Sequence, residues 1–303
     1  MAEVKDHRSG FAGLIGRPNA GKSTLLNALV GQKVAIISDK PQTTRNRILG
    51  VYTAQDAQIV FLDTPGIHKP HHRLGEYMVS LARQTLKEVD VVVYVVDVSV
   101  EPGAGEEYIL GFLKEIATPV VLVFNKIDLI NGRQLDKTKG FFYSRFQPAE
   151  AVAVSALQGL NVDLLPPLII RHLPPGPQYY PPDQVTDQPE NLLIAELIRE
   201  KILLLTEEEV PHAVAVVVEE VAPRPNNMLY VAATVYVERD SQKGILIGKG
   251  GRMLKEIGTL ARRELEGLLG NKMYLDLRVK VKKNWRKQET ALKQLGYVLA
   301  KGD

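Results

Sequence analysis

The chain has 303 residues, 45% of them hydrophobic and 24% charged, with 38 Lys and Arg against 35 Asp and Glu for a net charge of +3. That length suggests two domains and that composition an ordinary globular chain with material for a core. The absence of cysteine excludes disulfides, thiolate zinc sites and thiol nucleophiles. It also fits a reducing cytosol. Met1–Gly10 is charged and lacks the apolar run of a signal peptide. The longest apolar runs fall far short of the ~20 residues that a membrane span needs.

In chain order, Phe11–Ile15, Ile59–Leu62, Val91–Val96, Val120–Phe124 and Ala151–Val154 are short, apolar and rich in β-branched residues. Such runs predict strands covered on both faces of a mainly parallel sheet. Lys22–Val30, the segment around Leu74–Leu86 and Glu106–Ile116 carry helical spacing. Arg47–Tyr52 and Gln58–Asp63 lie too close for a crossover, so they predict an antiparallel hairpin at one sheet edge. The prolines of 173–183 predict a semi-rigid linker over 174–189, between a first domain of 1–173 and a second of 190–303. The second domain reads as helix (Glu190–Leu205), strand (Ala213–Val221), strand (Met228–Val237), two helices about a glycine turn, strand (Met273–Val281) and a closing helix (Trp285–Val298). No internal repeat is visible.

Gly16-Arg17-Pro18-Asn19-Ala20-Gly21-Lys22-Ser23, with Thr24 next, matches G-x-x-x-x-G-K-[ST] between a predicted strand and a predicted helix. In that context backbone N–H groups wrap a β-phosphate, Lys22 bridges phosphate oxygens and the Ser23 hydroxyl ligates Mg²⁺. Asp63-Thr64-Pro65-Gly66 ends the next strand of the motif. There a carboxylate suits Mg²⁺ through water, and the Gly66 N–H suits the γ-phosphate. Asn125-Lys126-Ile127-Asp128 follows Val120–Phe124. Asp128 there accepts from guanine's ring N–H and exocyclic amine, a donor pair that adenine lacks. Ser155-Ala156 offers a backbone N–H to guanine O6.

Four such strings in order resemble the translation-factor-class GTPases, and the guanine assignment comes from that resemblance. It places the first switch at Pro41-Gln42-Thr43-Thr44-Arg45, with Thr44 the second Mg²⁺ hydroxyl and Thr43 its rival. Ile67 stands where Ras-like relatives keep a water-orienting glutamine, which an aliphatic side chain cannot replace. Some relatives with Asn at the position of Asn19 use K⁺, so K⁺ is a further expectation. His68, His71 and His72 follow. Their spacing lacks a fourth zinc ligand and reads as a solvated switch segment, with His68 able to contact water or phosphate.

Charge is uneven along the chain. Residues 241–303 hold 15 Lys and Arg against 6 Asp and Glu, a balance of +9, and residues 1–240 hold 23 against 29, a balance of −6. Within the basic end, Gly248-Lys249-Gly250-Gly251-Arg252 places a G-x-x-G between two helical patterns. Glycines there permit close approach of a single-stranded backbone, and Lys249 and Arg252 meet phosphates. The element order resembles the type II KH domain, with Arg262, Arg263, Lys280, Lys282 and Lys283 as further basic candidates. Trp285 and the pair Tyr179-Tyr180 read as packing anchors rather than base-stacking residues.

A GTPase domain, a proline-rich linker and a C-terminal KH domain together resemble the Era/TrmE-like GTPases, and the Era family in particular, over nearly the whole chain. The resemblance implies an α/β fold: a P-loop NTPase domain with a mostly parallel sheet flanked by helices, plus a smaller α+β KH domain. It implies a slow, Mg²⁺-dependent GTPase alternating between GTP and GDP states. The partner implied is small-subunit (16S) ribosomal RNA near its 3′ end, and the role is 30S subunit assembly. A cytoplasmic monomer with weak peripheral association at the inner membrane completes the picture. A passive RNA chaperone stabilised by nucleotide is the alternative, and a P-loop ATPase or kinase is disfavoured by Asn125-Lys126-Ile127-Asp128.

Overall fold

The structure is a computed structural model that describes residues 7–299. Most of the charged N-terminal stretch and the last residues of the second predicted domain lie outside the described residues. The described residues form two compact units, one holding most of 7–187 and the other holding 188–299.

The first unit alternates strands and helices: β1 (Arg8–Ile15), α1 (Lys22–Val30), β2 (Ile48–Ala54), β3 (Ala57–Asp63), α2 (Arg73–Glu88) and β4 (Val91–Asp97). It continues with α3 (Ala104–Leu113), β5 (Val120–Asn125), α4 (Gly132–Tyr143), β6 (Glu150–Val154) and α5 (Leu165–Ile170). The strands form one sheet in the order β2-β3-β1-β4-β5-β6. Only β2 runs antiparallel, as the hairpin spacing predicts. Alternate residues feed opposite faces, the period-2 behaviour of a strand. Val91, Val93 and Val95 join Leu25, Leu29 and Ile169 on one side. Val92, Tyr94 and Val96 join Leu86, Ile109 and Phe142 on the other. Burial on both faces explains why these strands read as unbroken apolar runs.

Two helices of this unit carry little sequence signal. For α4, Asn131 caps the first turn by accepting from Gln134 N (3.1 Å), yet only Thr138 and Phe142 are buried along it. For α5, Pro166 and Pro167 occupy the first turn, where a missing N–H does no harm.

The proline-rich segment packs on the first unit rather than spanning free solvent. Val51 N donates to Val185 O (2.8 Å), and Thr186 Oγ1 donates to Leu49 O (2.7 Å). The fully buried Gln58 accepts from Tyr179 N and Tyr180 N (2.8 and 2.9 Å) and donates to Tyr180 O (2.8 Å). Tyr179 also stacks on Phe11.

The second unit contains α6 (Glu190–Leu205), α7 (Val210–Ala213), β7 (Ala215–Arg224), β8 (Met228–Val237), α8 (Asp240–Ile247), α9 (Arg252–Leu269), β9 (Lys272–Val281) and α10 (Glu289–Gln294). Its sheet has the order β7-β8-β9; β7 and β8 are antiparallel, β8 and β9 parallel. The first expected strand starts two residues late, because Pro211 opens the short helix α7. The expected closing helix over Trp285–Val298 is a correction: the segment is a 3₁₀ turn (Trp285–Lys287) followed by the six-residue α10. Trp285 is fully buried, donates Nε1–H to Ala213 O (2.9 Å) and stacks on Tyr297. Gln288 is then extended and Gly296 has φ 87°, which together limit the helix.

Candidate functional site

The loop between β1 and α1 brings Gly16–Ser23 to the C-terminal end of the parallel strands, where open α/β sheets build their ligand sites. Glycine is demanded at two points. A Cβ at Gly16 would lie 2.2 Å from Val95 O, and one at Gly21 would lie 2.2 Å from Asn125 Nδ2. Lys22 is buried and donates to Gly16 O (3.4 Å) and Arg17 O (3.0 Å), so its ammonium curls back under the loop. Burial pushes its pKa down to about 8, against the attraction of Asp63.

Three oxygens predicted for Mg²⁺ meet beside it. Ser23 Oγ donates to Asp63 Oδ2 (2.6 Å) and lies 2.9 Å from Thr44 Oγ1. Asp63 has no exposed surface, and burial pushes its carboxyl up to about 6 despite Lys22 and hydrogen bonds from Ser23, Thr44 and the Thr64 N–H. Its Oδ1 is buried without a hydrogen-bond partner, an arrangement that asks for a cation or a bridging water. Two hydroxyls and a carboxylate of this kind are hard oxygen donors suited to Mg²⁺. The residues therefore fit the ion. Thr43 is buried, whereas Thr44 shares this cluster.

Asp63-Thr64-Pro65-Gly66 closes over the phosphate loop. A Cβ on Gly66 would lie 2.5 Å from Pro18 N, and Ile67 N donates to Gly16 O (2.9 Å). Thr64 Oγ1 donates to Leu14 O (2.8 Å), which pins the turn to β1. Ile67 is buried in the core cluster of α2 and α3, so its side chain fastens this loop instead of facing a reacting water. His68 Nδ1 pairs with Gly66 O (3.0 Å) and Nε2 with the Gln42 amide (3.1 Å). Since a carbonyl only accepts, Nδ1 carries the proton and Nε2 accepts from Gln42. Of the predicted switch residues, Gln42 and His68 thus meet each other while Thr44 meets Ser23, and among the described residues no group of three or more His, Asp or Glu side chains suits a metal.

The base-reading loops are tied to the phosphate loop through one residue. Asn125, nearly fully buried, donates Nδ2 to Ala20 O (2.8 Å) and accepts from Ala156 N at Oδ1 (3.0 Å). Lys126 takes a left-handed φ of 71° and pairs with Asp97 at the end of β4 (2.5 Å). Asp128 follows in a 3₁₀ turn, exposed and open to a ligand. Ser155 bridges to Leu160 and accepts from Gln158 N (3.1 Å), shaping the loop that carries Ala156. Sequence reasoning missed Asp97, whose signal was a lone acid closing an apolar strand. It also missed Glu106, a buried carboxylate that pairs with Arg17 (3.2 Å).

In the second unit the Gly248–Arg252 turn joins α8 to α9. Gly248, Gly250 and Gly251 all have positive φ, and a Cβ on Gly250 or Gly251 would meet nothing within 4 Å. That open space suits close approach of a ligand backbone. Lys249, Arg252, Arg262 and Arg263 are exposed, whereas Lys280 pairs with Glu219 (3.6 Å) and Lys282 with Gln294 (2.5 Å).

Comparison with known proteins joins the two units. Residues 11–126 match the family model of the 50S ribosome-binding GTPases, and residues 209–286 match a KH domain model. A crystal structure of Era in complex with MgGDPNP and nucleotides 1506–1542 of 16S ribosomal RNA is 43% identical, with a TM-score of 0.93, over 97% of this chain and 100% of that one. The chain belongs to the Era family. A point variant of Aquifex aeolicus Era bound to GDP and tetrafluoroaluminate is 42% identical over 96% of this chain and 100% of its own, with a TM-score of 0.91. The Era likeness spans both units, whereas the 50S ribosome-binding GTPase model covers residues 11–126 alone.

Proposed function

We infer that this chain is a GTP-hydrolysing switch protein that binds small-subunit ribosomal RNA through its KH domain and assists 30S subunit assembly. The observation that carries the inference is the full-length likeness to Era captured with MgGDPNP and 16S rRNA nucleotides. Bound Mg²⁺ supplies charge stabilisation for the phosphates. The chain's own residues do the rest. The phosphate loop wraps the β-phosphate with N–H groups, Lys22 neutralises phosphate charge, and Asp128 selects guanine. Thr44 and Gly66 respond to the γ-phosphate as ordered switch segments and relax after hydrolysis. With Ile67 turned into the core, no side chain at that position orients the attacking water, and slow intrinsic turnover follows.

Finer points belong to the same reading. By the resemblance to relatives with Asn at the position of Asn19, K⁺ serves as an additional charge-stabilising ion; an equal rate in Na⁺ would remove that assignment. Residues 1–173, 174–189 and 190–303 serve as GTPase domain, linker and KH domain. The protein works as a cytoplasmic monomer with weak peripheral contact at the inner membrane; among the described residues no helix is long and apolar enough to cross one. Phosphate release measured with and without the 3′ end of 16S rRNA tests the core of the proposal. Turnover that responds to RNA supports the switch, and negligible turnover under both conditions leaves only the passive chaperone.

A further inference from the structure

A KH turn clamps about four nucleotides, yet the related Era is seen with a segment spanning nucleotides 1506–1542. An RNA of that length extends well past the nucleotides that a G-x-x-G turn holds. The second unit offers a further surface on its sheet. Along β9, Met273 and Val279 are buried and Leu277 lies against Gly258 of α9, so this face is covered by helix. Tyr274, Asp276, Arg278 and Lys280 alternate with them and occupy the opposite face.

On that outer face Tyr274 sits in register with Tyr230 of β8. Their rings stack at 5.9 Å with an interplanar angle of 14°, and Arg224 of β7 lies over Tyr230 at 5.0 Å. Tyr274 is nevertheless 59% exposed, so one side of the stack is open. The surrounding cations are Arg224, Lys272, Arg278 and Lys280, paired with Glu220, Glu266, Asp276 and Glu219. In three of those pairs the cation is the more exposed partner, most strongly for Lys272 at 78% against 26% for Glu266. A phosphate arriving at this face meets the basic ends first.

We propose that the outer face of the β7-β8-β9 sheet is a second RNA-contacting surface, in which an unpaired base extends the Tyr230–Tyr274 stack while Arg224, Lys272 and Arg278 engage flanking phosphates. The proposal rests on the reading that this chain binds ribosomal RNA. Aromatic stacks beside cations are the recurrent platform for unpaired bases. An aromatic stack left open to solvent beside cations favours RNA over a protein partner.

The test uses the full chain with Mg²⁺ and GDPNP. One probe is the 16S rRNA segment 1506–1542 and the others are single-stranded oligomers of about six nucleotides tiled across it, just longer than the KH footprint of about four. Tyr274→Ala, with its melting temperature checked, is expected to weaken the long RNA about tenfold and leave the best short oligomer unchanged. Tyr274→Phe, which keeps the ring, restores the long-RNA affinity. Equal long-RNA affinity in the wild type and in a Tyr274→Ala/Arg278→Ala double variant overturns the proposal and reassigns this face to a protein partner or to none. If the wild type binds neither RNA, the underlying RNA-binding reading itself fails, and the two failures are distinct.

Discussion

Lys22 and Asp63 are two opposite charges buried in one site, and each is shifted toward neutrality, to about 8 and about 6. A ligand carrying phosphates and a cation needs both groups ionised. Below about pH 6, binding must strip a proton from Asp63, so affinity rises with pH up to that point. Above about pH 8, binding must return a proton to Lys22, so affinity falls. We expect Mg²⁺–GDPNP affinity to plateau between these values in a fluorescence titration from about pH 5 to about 9.5. Comparison with Asp63→Asn removes the nucleotide's own phosphate titration; identical acid limbs in the two proteins would refute the assignment. At the base, Asp128→Asn should lower GTP affinity at least about 100-fold, because a site built for a donor pair is left mismatched. Xanthosine triphosphate should bind the variant better than GTP does, and an unchanged GTP titration would sink the role of Asp128. These residues were legible because phosphate and guanine chemistry tolerate few residue types at fixed spacing. Asp97 and Glu106 were not, because they act through Lys126 and Arg17 across gaps of 29 and 89 positions that no local pattern encodes.

Among the elements, the β2–β3 hairpin is the one that joins the Thr44 loop to Asp63. Gln58 in its second strand holds the 179–180 peptide with three hydrogen bonds and also donates to Thr53 Oγ1 (3.0 Å). Leucine there would strand two backbone N–H groups without partners. Gln58→Leu is expected to destabilise the protein by about 2 kcal/mol and to expose residues 175–187 to protease. An unchanged urea midpoint together with unchanged cleavage would argue that the latch is idle. Strands buried on both faces were readable as unbroken β-branched runs and helices from apolar spacing, which is why β4, β5 and α6 fall where the sequence puts them. The packing of 174–187 was not readable, since prolines report extended backbone but not what that backbone lies against. The same limit applies to Trp285–Val298, whose helical spacing yields to the buried indole and its bond to Ala213.

For the whole molecule, a net charge of +3 conceals a body of −6 and a C-terminal end of +9. RNA binding should therefore depend on salt mainly through the basic end, with Arg224 of β7 the one proposed phosphate contact outside it. For single strands each neutralised phosphate contributes about 0.7 to the slope of log K against log salt. Lys249→Gln/Arg252→Gln, which changes two exposed cations flanking the glycine turn, should lower that slope by about 1.4. Gly248→Asp is a blunter probe than it looks in sequence. Its φ of 70° and a Cβ contact of 2.8 Å with Met253 strain the turn as well as adding charge. Weakened RNA binding with intact GTP binding is still expected from it, and an unaffected RNA gel shift would reject the turn as the clamp. The paired substitution separates the alternatives more cleanly, because it leaves the backbone alone. If affinity drops at low salt with the slope preserved, Lys249 and Arg252 shape the turn; if both fall together, they meet phosphates.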